Sequence, residues 1–177
     1  VKPKEHIQMD YEKYISVTKD FPKKGISFKD VSPLLRDPVA FHSCIDDLAK
    51  LAEEYHANAI IGPESRAFIF GAAMAYKMGL GFVMARKAGK LPGIVIHYTY
   101  QLEYGSATLE IPQDSFKKGD RVLLVDDLMA TGGTFDALKK LVINDGAVPV
   151  ACVTVIRLKD LAGEKIVGLP CKSLLDL

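Results

Sequence analysis

Asp126 and Asp127 follow an apolar run, Val122-Leu123-Leu124-Val125, and lead into Leu128-Met129-Ala130-Thr131-Gly132-Gly133-Thr134. Four apolar residues in a row read as a strand buried on both faces. Open α/β sheets place their ligands beyond the carboxyl ends of such strands, which is where the two carboxylates fall. The turn after them is built of small residues, carries hydroxyls at Thr131 and Thr134, and opens a helix. Unpaired backbone N–H groups and the positive end of that helix's dipole make the turn a seat for phosphate. Carboxylates grip sugar hydroxyls or a metal ion, so a phosphorylated sugar would bridge the two features.

Other readings of the same residues lack their second half. The magnesium-holding strand of P-loop NTPases needs G-x-x-x-x-G-K-[ST] elsewhere, and the chain has none. The G-x-G-x-x-G run of dinucleotide-binding proteins is also missing. A receiver domain would use paired aspartates but has no use for a threonine-glycine cradle. A second group of residues could meet an anion. Arg66 offers a two-pronged guanidinium at a predicted helix start, and Arg86, Lys87 and Lys90 lie at the next strand–loop junction.

Composition limits the rest. The 177 residues suit one domain with a sizeable core; they are 49% apolar and 25% charged, with a formal net charge of +1. That balance gives no support to a general nucleic-acid or membrane role, so phosphate affinity must come from local arrangement. No apolar run reaches the roughly 18 residues of a spanning helix, and Val1 to Glu5 lacks the apolar core of a signal peptide. Cys44, Cys152 and Cys171 are odd in number and widely spaced, which fits buried thiols in a reducing cytoplasm. His6, His42, His56 and His97 have no metal-ligand spacing.

The elements that must position these groups alternate. An amphipathic helix is predicted over 5–18, with Ile7, Tyr11, Tyr14 and Ile15 on one side. An irregular stretch, Phe21 to Asp30, is too rich in turn residues for a helix. Asp37-Pro38 is a helix start, and Phe41, Cys44, Ile45, Leu48, Leu51, Ala52 and Tyr55 carry that helix over 38–55. Strands follow at 57–61, 81–86, 121–126 and 150–156. Helices lie between them at 66–78, capped by Ser65, and at 133–144, which buries Phe135, Leu138, Leu141 and Val142 and stops at Gly146. Strands spaced by such helices predict a mostly parallel sheet flanked by helices. Val95–Tyr100 and Ala107–Ile111 break the rhythm as a hairpin with Glu103-Tyr104-Gly105-Ser106 at its turn, read as a lid.

Val122 to Thr134 resembles the phosphoribosyl-pyrophosphate signature of the type I phosphoribosyltransferases. Ile61-Gly62-Pro63-Glu64-Ser65-Arg66 to Gly71, Arg86 to Gly93, Leu102 to Gly105, and Phe21-Pro22 with Gly25 to Asp30 resemble the members of that family that use adenine. The likeness runs from about residue 8 to the C-terminus. It implies an α/β type I phosphoribosyltransferase fold with an N-terminal hood over 1–36 and a core over 37–177, whose lid spans about 90–112. It further implies that phosphoribosyl pyrophosphate and adenine give AMP and pyrophosphate, with Mg²⁺ held through substrate oxygens and water.

By the same resemblance, Asp126 and Asp127 hold the ribose hydroxyls, while Ala130, Thr131, Gly132, Gly133 and Thr134 wrap the 5′-phosphate. Glu64, Ser65 and Arg66, with a cis peptide at Glu64-Ser65, meet pyrophosphate together with Arg86, Lys87 and Lys90. Ser27 and Lys29 read adenine through their main chains, between Phe28 and Leu158. Glu103 handles a purine proton and Tyr104 covers the reaction centre. A homodimer is expected, with neither nucleic acid nor membrane as partner. Three positions depart from the family pattern: Ala67 for glycine, Lys23-Lys24 for proline, and Ser27 for an apolar residue.

Overall fold

The computed structural model describes residues 9–101 and 105–177, and the chain divides into two compact units, 1–44 and 45–177. In the first unit a 3-10 turn, Tyr11–Tyr14, leads into strand β1 (Ser16–Lys19), which pairs antiparallel with β2 (Ser27–Asp30). The helix predicted over 5–18 is therefore corrected from residue 11 onward, and its first residues lie outside those described. β-Branched Ile15, Val17 and Thr18 suit an extended chain, and β2 gives their backbone a ladder partner that local periodicity cannot reveal. The stretch read as irregular thus contributes β2, after a turn in which Gly25, at φ +88°, donates its N–H to Asp20 Oδ1 at 2.7 Å. Short helix α1 (Ser32–Arg36) follows, and α2 (Pro38–Ala52) starts as expected: Asp37 Oδ1 accepts from the N–H groups of Val39 and Ala40, both at 2.9 Å. A separate 3-10 turn, Glu53–Tyr55, completes the stretch predicted as one helix.

The second unit is built on a seven-stranded sheet. Its elements are β3 (Ala59–Pro63), α3 (Ala67–Met78), β4 (Gly81–Lys87), β5 (Val95–Gln101), β6 (Ser106–Pro112) and β7 (Arg121–Met129). They continue with α4 (Gly133–Asn144), β8 (Val148–Arg157), α5 (Gly163–Val167) and β9 (Cys171–Asp176). Strand order is β5-β6-β4-β3-β7-β8-β9. The run from β4 to β9 is parallel, and the β5–β6 hairpin joins antiparallel at the β4 edge through Arg86↔Glu110 and Lys87↔Leu109. The hairpin is thus a continuation of the sheet rather than an excursion from it. Strand β9 was not predicted, because Lys172 and Ser173 interrupt its apolar pattern.

Strand β7 is an interior strand between β3 and β8, and Val122, Leu123, Leu124 and Val125 are all fully buried. Val122 and Leu124 join Ile61, Cys152 and the inner face of α4 (Phe135, Leu138, Leu141, Val142) in one cluster. Leu123 and Val125 alternate to the opposite face of the sheet. Each large side chain so buried contributes on the order of 1.5–3 kcal/mol against exposure. On α3, Gly71 sits so close to Phe82 that a Cβ there would overlap the ring. The chain steps from β3 to β4 on one side and to β7 on the other. That reversal opens a crevice beyond the carboxyl ends of β3 and β7.

Candidate active site

Strand β7 does not stop at Val125 but runs through Asp126 and Asp127 to Met129, so the carboxylates are held by the sheet itself and not by a loop. Asp126 Oδ1 accepts the N–H of Asp127 at 2.8 Å. Lost hydration, and then the neighbouring Asp127 charge, push the Asp126 carboxyl well above its ordinary range. Asp127 is almost sealed from solvent, and its Oδ2 lies 2.6 Å from Arg66 Nε. That oxygen is buried, and the ion pair with Arg66 balances its charge.

After Met129 the chain turns through Gly132, at φ +86°, a conformation that favours glycine. Helix α4 begins at Gly133, and its first intrahelical bond runs from Asp136 N to Gly132 O at 2.9 Å. The N–H groups of Gly133, Thr134 and Phe135 precede that bond and carry the partial positive charge of the helix start. Ala130 to Phe135, with Asp126 and Asp127, line a pocket of about 220 Å³.

A second pocket of about 320 Å³ adjoins it and shares Arg66, Asp126, Asp127 and Thr134. Its other walls include Glu64 and Ser65 at the end of β3, Lys87 from β4, and Tyr100 and Thr108 from the hairpin. Glu64 organises the cations here. Lys90 Nζ donates to its Oε2 at 2.8 Å, and the Lys87 N–H and Arg86 Nε donate to its Oε1 at 2.7 and 3.4 Å. The Lys90 ammonium first, and then the Lys87 N–H, hold the Glu64 carboxyl down at about 2. The Glu64-Ser65 peptide is cis. Ser65 does not cap α3; Arg66 occupies that position, without a side-chain cap bond. Ala67 is fully buried at the first helical position.

Most of the predicted site residues of this unit therefore meet. Arg86 and Lys90 do not line the crevice and join it through Glu64. Leu158 follows β8 directly, half-buried, and its N–H donates to Met129 O at 2.9 Å. In the first unit, Ser27, Phe28 and Lys29 form most of β2, with Phe28 packed edge-on against Phe21 at 5.3 Å between ring centres. Glu103 and Tyr104 lie outside the described residues. Tyr100 and Thr108 were missed: the local pattern of the hairpin does not show that its end meets the crevice. Among the described residues no three His, Cys, Asp or Glu side chains are grouped to hold a metal ion. No described helix is long and apolar enough to cross a membrane.

Comparison with known proteins agrees with this geometry. A family model for the phosphoribosyl transferase domain matches residues 39–167. The chain is 46% identical to the adenine phosphoribosyltransferase of Desulfitobacterium hafniense over 157 residues, 89% of this chain and 91% of that one. The crystal structure of adenine phosphoribosyltransferase from Thermoanaerobacter pseudethanolicus superposes with a TM-score of 0.91 at 45% identity, covering 94% of this chain and 97% of that one. The Saccharomyces cerevisiae enzyme, solved in complex with an imino-altritol bisphosphate and adenine, gives 0.87 at 38% identity, covering 93% and 96%. With its acid pair, small-residue turn and cationic loop gathered at one crevice, the chain belongs to the adenine phosphoribosyltransferases of the type I phosphoribosyltransferase family.

Proposed function

We propose that the two adjoining pockets divide the work of one reaction, transfer of the 5-phosphoribosyl group from phosphoribosyl pyrophosphate to adenine, giving AMP and pyrophosphate. The observation that carries this reading is the shared wall: Asp126, Asp127 and Thr134 belong to both pockets, so one sugar can span them. The 5′-phosphate takes the N–H groups and hydroxyls of Ala130 to Thr134. The ribose hydroxyls donate to Asp126 and Asp127. Pyrophosphate lies toward Glu64, Ser65, Arg66 and Lys87, with Arg86 and Lys90 behind Glu64.

Adenine N9 displaces pyrophosphate at ribose C1. Bond breaking runs ahead of bond making, and the two aspartates stabilise the positive charge that develops on the ring. Ser27 and Lys29 read the amino and ring-nitrogen pattern of adenine through their main chains and Phe28 stacks on its ring, while Leu158 is the apolar side chain the core offers the base. Guanine or hypoxanthine would leave those groups unpaired. Residues 1–36 act as the hood, 37–177 as the core and about 90–112 as the lid; Glu103 serves the purine proton and Tyr104 excludes water. Among the described residues no three carboxylate, histidine or cysteine side chains are grouped to enclose an ion, which fits Mg²⁺ carried in on substrate oxygens and water. Carried in that way, the ion would neutralise charge on the departing pyrophosphate.

A homodimer and a cytoplasmic location are part of the same proposal. Helix α3 turns Ile69 and a 92%-exposed Tyr76 to solvent, apolar surface that a second copy would cover. Three free cysteines suit a reducing compartment. Sedimentation should give twice the chain mass, and Tyr76→Glu should halve it. Pyrophosphate release measured with adenine, hypoxanthine, guanine and orotate tests the reaction. Turnover with adenine alone is expected; turnover with orotate or guanine instead would refute the hood assignment.

A further inference from the structure

Gly163, the first residue of α5, has no role in the chemistry above and lines neither pocket, yet it is pressed against the back of the phosphate turn. A Cβ on Gly163 would fall against Ala130 O, 2.8 Å from Gly132 N and 3.0 Å from the Thr131 carbonyl carbon. Reciprocally, a Cβ on Gly132 would fall against Gly163 O, with Gly163 C at 2.9 Å and Cα at 3.0 Å. Every atom involved is main chain and cannot rotate away. Gly132 has a positive φ that would itself favour glycine, whereas Gly163 does not. Glycine at 163 is therefore required by space and not by backbone conformation.

Two further ties keep this contact in register. Before it, the Leu158 N–H donates to Met129 O at 2.9 Å. After it, Lys139 Nζ, on the helix that the turn opens, donates to Val167 O at 2.6 Å while pairing with Asp136 at 2.8 Å. The segment 158–167 thus holds the strand before the turn, the turn itself and the helix after it.

We propose that Gly163 is a positioning residue for the 5′-phosphate: the backbone of α5 is a rigid stop that sets where the donors of residues 131–134 point. A cradle of N–H groups works only when its donors converge to within a few tenths of an ångström, and a methyl group wedged behind them displaces the turn by more. The inference rests on the assignment of residues 130–134 as the phosphate seat. It predicts a split between ligands, because pyrophosphate is assigned to the other pocket, which Gly163 does not touch.

Titration calorimetry with ribose 5-phosphate, AMP and pyrophosphate on the wild type, Gly163→Ala and Lys139→Met measures that split. Gly163→Ala should weaken both sugar phosphates by at least about tenfold and leave pyrophosphate within about twofold. A wild type that takes neither sugar phosphate overturns the underlying site assignment and the inference with it. A wild type that binds both, with folded Gly163→Ala matching it within twofold, overturns the inference alone, as does an equal loss for pyrophosphate. If Gly163→Ala does not fold, Lys139→Met, which cuts the tie to Val167 while keeping an aliphatic stem, should weaken ribose 5-phosphate about threefold with pyrophosphate unchanged; unchanged ribose 5-phosphate affinity overturns the inference.

Discussion

The half of the crevice proposed for the 5′-phosphate and the half proposed for pyrophosphate present donors by different means. Residues 130–134 present backbone N–H groups at a helix start, braced by two glycines in main-chain contact. The loop at 64–66 and the β4 junction instead rely on long cationic side chains, each held by an acid: Arg66 on Asp127, Arg86 and Lys90 on Glu64. Backbone donors are fixed by the fold and carry only partial charge, so they need no counter-ion. Guanidinium and ammonium groups are mobile and fully charged, and without an internal partner they would spread over many rotamers. One half is rigid by packing and the other is ordered by exchangeable ion pairs.

Several substitutions would break or sharpen this contrast. Asp127→Asn should lower turnover on the order of 10³-fold while moving the thermal midpoint little, because Arg66 is half exposed and can be solvated; a comparable loss of folding would make Asp127 a structural acid. Arg66→Lys should cost about 10²-fold in kcat/KM with pyrophosphate affinity reduced more than ribose 5-phosphate affinity, although Arg66 lines both pockets, since an ammonium cannot reproduce the guanidinium fork. Equal losses for the two ligands would erase the division between the halves.

Asp126→Asn sets function against stability. The carboxyl is raised above its unfolded value near 3.8, so the folded chain keeps a proton that the unfolded chain releases. Stability therefore falls as pH rises through that window, and the cost persists at neutral pH. The asparagine variant should lose activity by about 10²-fold yet melt higher than wild type at pH 7, with the gain vanishing below about pH 4. Glu64→Gln is the mildest. Glu64, lowered to about 2, contributes fully above its unfolded value of 4.5 and loses that contribution as pH falls toward 2. Melting curves should place the variant about 2–4 °C lower, equally at pH 7 and 5, with the gap narrowing below about pH 4.

The two halves also differed in how far they could be read in advance. The phosphate half is contiguous: an apolar run, two acids, a small-residue turn and a helix follow one another between Val122 and Asn144, and local rules suffice for each. The other half draws on β3, β4 and the hairpin; residue types pointed to Arg66 and Lys87, but only the likeness to a known family supplied Glu64 and Ser65 before the geometry did. Local rules misjudged residues 11–18 because the partner strand lies further along the chain, across a turn. They missed β9, whose half-polar pattern acquires meaning only beside β8.

The order of residues alone determined the parallel α/β architecture, the buried strand, the acid pair and the helix that opens after Gly132, since each depends on neighbours within a few positions. Pairing partners, the antiparallel extension of the sheet at β4, the capture of Arg86 and Lys90 by Glu64, and the contact of Gly163 with the phosphate turn were decided only in three dimensions. Those features join segments from about 20 to more than 30 residues apart. Whether such segments meet depends on the packing of the whole sheet and its helices, which no local stretch of chain encodes.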